Sequence, residues 1–168
     1  RGQNVGLIFF PGQQVTVQAY APFARHLAES GFVVKLIKVP GGTIASQAEL
    51  AAVLEGAAAN LGDRRWVIGG HSLGGAIASF FAAQYSEKTQ ALLLAATTHP
   101  RDGSLLELKV PVTKIYATED QITPASAILD LAKFLPPQTQ LISIDGGIHK
   151  YFGYYGTRYD ERENILSR

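Results

Sequence analysis

Six short apolar runs punctuate the chain, at Val5–Phe10, 32–39, 66–69, 91–96, Val112–Ala117 and Gln140–Ile144. Runs this short and this continuous predict strands buried on both faces, in the manner of a parallel sheet. Between them the period changes. In 20–30, Phe23, Leu27 and Ala28 recur at helical spacing with Arg25, His26 and Glu29 between them, and Gly31 ends the segment. Ser46 can cap a helix over 47–60, with Glu49 three residues on as in a capping box, closing at Gly62. Further helices are predicted at Leu73–Gln84 and at 126–135, the last stopped by Pro136-Pro137. Strands alternating with helices predict an α/β fold: a mostly parallel, doubly wound sheet of about six strands, covered on both faces in three αβα layers, with right-handed crossovers. An irregular stretch lies at 99–109, and 145–158 is rich in glycine and aromatic residues. No internal repeat, low-complexity segment or linker divides the chain, so 1–168 reads as one domain.

Composition narrows the function classes. A chain of 168 residues can bury about 70% of its unfolded surface, so it needs no disulfide or metal staple, and it has no cysteine. With 46% hydrophobic and 17% charged residues it is a folded domain rather than a disordered tail. Fifteen basic and fourteen acidic residues are scattered and leave a net charge of +1, which gives no reason to expect nucleic acid or an anionic membrane surface as partner. No run reaches the roughly 18 apolar residues of a membrane span, and Arg1-Gly2-Gln3-Asn4 lacks the apolar core of a signal peptide. The chain does not begin with methionine, so it is expected to start after processing or to lack N-terminal residues. Compartment and oligomeric state are left open.

Ligand sites in open α/β sheets lie beyond the carboxyl ends of the strands, so the residues that follow each strand carry the functional signal. They are Pro11-Gly12-Gln13, Pro40-Gly41-Gly42-Thr43, His71-Ser72-Leu73, Thr97-Thr98-His99, Glu119-Asp120 and the segment 146–155. One of these has the form Gly-x-Ser-x-Gly: Gly70-His71-Ser72-Leu73-Gly74, placed where an apolar strand turns into a Gly/Ala-rich helix. The two glycines permit a close strand–helix crossing and leave Ser72 exposed at a strained bend. A serine hydroxyl becomes a nucleophile only when a histidine takes its proton and a carboxylate fixes the histidine's tautomer. His149, after the paired Gly146-Gly147, is the candidate base. Asp120 is the candidate carboxylate, with Glu119 beside it and Asp145 four residues before His149 as competitors. His71 reads as a packing or hydrogen-bonding residue. Tyr151, Phe152, Tyr154 and Tyr155 can form either an acyl-binding wall or an aromatic seal for the C-terminal loop. His26 and His99 have no ligand partners at metal spacing and no Gly-x-x-x-x-Gly-Lys is present, so no metal, nucleotide or other cofactor is expected.

The order Ser72, Asp120, His149 is that of α/β-hydrolases, and over nearly its whole length the chain resembles a compact member of that fold family, of the dienelactone-hydrolase-like and carboxylesterase-like branch. Four stretches carry the resemblance: Phe9-Phe10-Pro11-Gly12-Gln13, Gly70-His71-Ser72-Leu73-Gly74, Tyr116-Ala117-Thr118-Glu119-Asp120 with Thr123-Pro124, and Gly146-Gly147-Ile148-His149 leading into Phe152-Gly153-Tyr154-Tyr155-Gly156. The resemblance implies Ser72 as nucleophile, His149 as base and then acid, Asp120 as the residue orienting it, and the backbone N–H groups of Leu73 and Gln13 as the oxyanion hole. It implies a serine hydrolase that cleaves a small-molecule carboxylic ester through an acyl-serine. A thioesterase or peptidase with the same triad, or a binding protein of this fold without turnover, are the other readings. The sequence departs from the family in three places. Four residues stand where members carry an antiparallel stretch before the first strand, Pro11 replaces the histidine of the oxyanion loop, and only Asp160 to Arg168 remain for the final helix. The 97–109 segment is too short for a large lid.

Overall fold

All six apolar runs become strands, and every neighbouring pair runs parallel. The computed structural model describes residues 5–59 and 61–155. Its strands are β1 Val5–Phe10, β2 Val33–Leu36, β3 Arg65–His71, β4 Thr89–Ala95, β5 Val112–Ala117 and β6 Gln140–Ile144, in the spatial order β2-β1-β3-β4-β5-β6. The helices are α1 Ala21–Glu29, α2 Gln47–Ala58, α3 Leu73–Gln84 and α4 Ala125–Asp130. The sheet order reverses direction at β1 and β3. The loops leaving those two strands therefore part to opposite sides, which opens a crevice at the carboxyl edge where α/β sheets bind ligands.

Alternation along β1 shows why both faces are covered. Ile8 and Phe10 pack with Val53 and Leu54 of α2 and Ile77 and Phe81 of α3, whereas Leu7 and Phe9 pack with Phe23 and Leu27 of α1. Ser46 caps α2 as the sequence implies. Its Oγ accepts the Glu49 N–H at 3.2 Å, and the Glu49 carboxylate reaches back to the Ala45 N–H at 2.8 Å.

Several boundaries differ from the sequence pattern, each for a local reason. β3 continues through Gly69 and Gly70 to His71, because these residues still pair with β1 and β4. β2 stops at Leu36, and the chain then tightens into a 3-10 turn at Pro40–Gly42 in which Gly41 and Gly42 adopt φ of 67° and 72°. The helix expected over 126–135 is α4 followed by a 3-10 turn at Leu131–Phe134. Coverage is also uneven. β6 is the edge strand, and Leu141, Ile142 and Ile144 are about two-fifths exposed, so among the described residues this strand is not sandwiched as the apolar run suggests. The stretch expected to form a final helix, Asp160 to Arg168, lies outside the described residues. No described helix is long and apolar enough to cross a membrane.

Lys114 lies within β5 and is fully buried. Its Nζ donates to the His99 carbonyl at 3.0 Å, and burial pushes its pKa down from 10.5 to about 8. A folded pKa below the unfolded one means that the charged form opposes folding. The penalty is fully present below pH 8 and fades as pH rises toward 10.5. At 1.36 kcal/mol per unit it amounts to about 3 kcal/mol. Lys114→Met should therefore be more stable than the parent near neutrality, and its advantage should shrink by about that amount by pH 10.5. Denaturant midpoints of both proteins across this pH range check it; parallel stability curves would refute it.

Candidate active site

The bend between β3 and α3 is built by exclusion of side chains. Ser72 has φ 55° and ψ −117°, a left-handed conformation that costs a non-glycine residue about 1–3 kcal/mol and persists only where its surroundings enforce it. Its N–H donates to the Ala95 carbonyl at 2.9 Å, and its own carbonyl accepts from the N–H groups of Gly75 and Ala76. A Cβ on Gly70 would overlap the Gly74 carbonyl, and one on Gly74 would overlap the Phe10 carbonyl. The start of α3 thus lies directly against the ends of β3 and β1, with Leu73 as its first residue. The N–H groups of a first helical turn have no partner within the helix and form its positive end. That of Leu73 makes no hydrogen bond among the described residues.

Asp120 and His149 meet beyond β5 and β6. His149 Nδ1 lies 2.7 Å from Asp120 Oδ2, and both side chains are almost wholly buried. Asp120 Oδ1 accepts the N–H groups of Ile122 and Thr123, each at 2.8 Å, while Oδ2 also accepts the Thr123 hydroxyl at 2.6 Å. Burial acts to raise the Asp120 pKa, but the hydrogen bonds from His149 and Thr123 outweigh it and hold the carboxyl below its ordinary value. An ionised carboxylate only accepts, so Nδ1 carries the imidazole proton and Nε2 is left as the basic nitrogen. Nε2 is buried and has no hydrogen-bond partner among the described residues, and neither has Ser72 Oγ. The two competing carboxylates are directed elsewhere. Glu119 is exposed, with its N–H bonded to the Gly147 carbonyl, and exposed Asp145 accepts from Thr118 Oγ1.

His71 connects the two halves of the site. It is the last residue of β3 and precedes Ser72, and its buried ring lies 4.6 Å, centroid to centroid, from that of His149. Phe152 stacks on the His71 ring at 5.5 Å, and Tyr155 lies 6.3 Å away, whereas Tyr151 and Tyr154 are 65% and 76% exposed. The aromatic segment therefore divides, Phe152 and Tyr155 packing against His71 and Tyr151 and Tyr154 facing solvent. His71 Nδ1 is 2.8 Å from Tyr20 Oη, which in turn accepts the Gly12 N–H at 2.9 Å. Nothing in the spacing of the sequence announces this contact.

The loop after β1 turns at Gly12–Val15, where the Val15 N–H meets the Gly12 carbonyl at 3.1 Å and Gln14 takes φ 56°. A second anchor runs from the Gln14 N–H to the Gly42 carbonyl at 2.7 Å. Gln13 is exposed, and its N–H makes no hydrogen bond among the described residues. Beside Leu73 opens a groove of about 500 Å³ lined by Ile44, Leu50, Leu73, Ile77, Phe80 and His99. A larger apolar groove of about 660 Å³ along α2 touches none of the candidate residues. Among the described residues no group of three His, Cys, Asp or Glu side chains could hold a metal ion.

The sequence profile of the Alpha/beta hydrolase family matches residues 6–168. No curated protein matches the sequence significantly. Among solved structures, an alpha/beta hydrolase enzyme from the sediment metagenome of the Mar Chica lagoon in Morocco superposes with a TM-score of 0.77 at 18% identity, over 99% of this chain and 90% of that one. A predicted CIB-like hydrolase from Thermoplasma acidophilum gives 0.75 at 16% identity, over 96% and 83%. Est1E from Butyrivibrio proteoclasticus with ferulic acid bound gives 0.74 at 14% identity, over 99% and 90%. At these identities the likeness is one of fold.

Proposed function

This chain belongs to the alpha/beta hydrolase family, and we propose that it is a serine hydrolase that cleaves a carboxylic ester through an acyl-serine intermediate. The observation that carries this reading is the buried Asp120–His149 pair at 2.7 Å, whose ring packs against the residue preceding Ser72. Ser72 Oγ attacks the ester carbonyl while His149 Nε2 takes its proton, and Asp120 stabilises the imidazolium. The oxygen that gains charge is received by the N–H groups of Leu73 and Gln13, donors worth roughly 3–4 kcal/mol each when aimed at the developing oxyanion. When the tetrahedral species collapses, His149 returns the proton to the departing alcohol. Water then attacks the acyl-serine by the same route. Contacts between the base and the nucleophile in such sites tighten as substrate binds. The groove beside Leu73 takes the apolar part of a small ester.

A fluorophosphonate probe reports the nucleophile without knowledge of the substrate. The folded protein should be labelled once per chain and should hydrolyse p-nitrophenyl esters, with the acyl length giving fastest turnover defining the groove. A folded protein that neither labels nor turns over any ester would sink this reading.

A further inference from the structure

We infer that Tyr20 is a positioning residue whose hydroxyl locks the oxyanion loop to the nucleophile elbow through His71; the inference rests on the serine-hydrolase reading and its Gln13 donor. Tyr20 stands at the junction of α1 with a 3-10 turn at Val17–Tyr20, outside the three candidate catalytic side chains. It is 1% exposed, and its ring is wedged against Phe9 at 5.1 Å and Phe23 at 6.3 Å. The ring is thus held by the core, which leaves the hydroxyl as a fixed point.

That hydroxyl takes the N–H of Gly12, the residue immediately before Gln13, at 2.9 Å. It lies 2.8 Å from Nδ1 of His71, the residue immediately before Ser72. The hydroxyl accepts from Gly12 and shares one hydrogen bond with His71 Nδ1, its direction set by the imidazole tautomer, so the Gly12 N–H, the phenol oxygen and Nδ1 are all engaged. Packing reinforces the link: a Cβ on Gly12 would lie 3.0 Å from His71 Nδ1 and 3.3 Å from Tyr20 Oη. The segment after His149 closes on the same point. The Tyr154 N–H donates to the Ala19 carbonyl at 2.7 Å, and a Cβ on Gly153 would lie 3.2 Å from Tyr20 Cε1. Three strand-end loops, bearing the oxyanion donor, the nucleophile and the base, therefore converge on one phenol.

A donor aimed at an oxyanion acts in the transition state and hardly at all in the bound substrate. Releasing the Gly12 N–H should re-aim the Gln13 N–H and lower kcat while leaving KM nearly unchanged. Tyr20→Phe keeps the ring and removes only the hydroxyl. Its kcat on p-nitrophenyl esters should fall about 10- to 100-fold, short of the full loss of one donor, with KM within about twofold if the missing interaction is confined to the transition state. His71→Asn retains an acceptor near the position of Nδ1 and should keep most of kcat, whereas His71→Leu should lose it. Tyr20→Phe combined with His71→Leu should cost little more than either change alone, because both break one linkage. A merely structural role would instead lower melting temperatures and leave the kcat of the folded fraction intact. Wild-type kcat in Tyr20→Phe, or fully additive losses in the double variant, overturns the inference while the hydrolase reading stands on parent activity. A folded parent without probe labelling or ester turnover overturns both.

Discussion

Ser72→Ala should lower kcat/KM for the best p-nitrophenyl ester by a factor on the order of 10⁶, and should abolish fluorophosphonate labelling, without unfolding the protein. The size of the loss follows from the division of labour at the bend. In the proposed mechanism, removing Oγ removes the atom that forms the acyl bond, while the proposed oxyanion donors Leu73 and Gln13 remain and should sustain a small residual rate. The small effect on stability follows from the same geometry. Ser72 holds its bend through backbone bonds to Ala95, Gly75 and Ala76, and Oγ makes no hydrogen bond among the described residues. Alanine keeps the same Cβ at the same φ of 55°, so the strain is unchanged and the melting temperature should stay close to that of the parent. Assay and thermal melt on one preparation separate the two effects. A variant retaining a tenth of parental turnover would remove Ser72 from the chemistry.

How much of this was legible in advance depends on the range of the forces involved. Strands buried on both faces write themselves into the chain as apolar runs, and all six were readable for that reason. Their ends were less so at β3, since glycines look like a stop yet here continue the ladder under the crossing helix. The exposure of β6 could not be read, because Leu-Ile-Ser-Ile is the same string whether a neighbour covers it or not. The bend at Ser72 is legible because it is local and needs glycine two residues to either side. Asp120 was only one of three candidates. What distinguishes it is the direction of a turn, fixed by the N–H groups of Ile122 and Thr123, and composition does not encode that. Tyr20 and His71 stand 51 residues apart. Their contact arises only because β1 and β3 are neighbours in the sheet, so no spacing rule reveals it. Lys114 sits in the strand Val-Thr-Lys-Ile-Tyr-Ala, buried like Val112 two residues before it, and its ammonium finds a backbone carbonyl there.

The same buried carboxylate leads to the second large effect, since Asp120→Asn preserves shape and removes charge. Asn has one acceptor oxygen and one donor amide. If the oxygen keeps the N–H groups of Ile122 and Thr123, the amide nitrogen replaces Oδ2 and faces His149 Nδ1 as a donor. His149 must then accept at Nδ1 and carry its proton on Nε2, the atom proposed to receive the proton of Ser72. Flipping the amide restores the tautomer only by turning a donor onto two backbone donors. Either way kcat should fall about 10³- to 10⁴-fold. The substitution also has a signature in stability. Because the folded Asp120 pKa is depressed, ionisation contributes stability that is present above the unfolded value of about 3.9 and is lost as pH falls through the lower folded one. Parent and Asp120→Asn should therefore differ most in denaturant midpoint near neutrality and converge in strong acid. Turnover within tenfold of the parent, or a stability gap that does not close below pH ~4, would show that the Asp120 carboxylate neither orients His149 nor is held ionised by it.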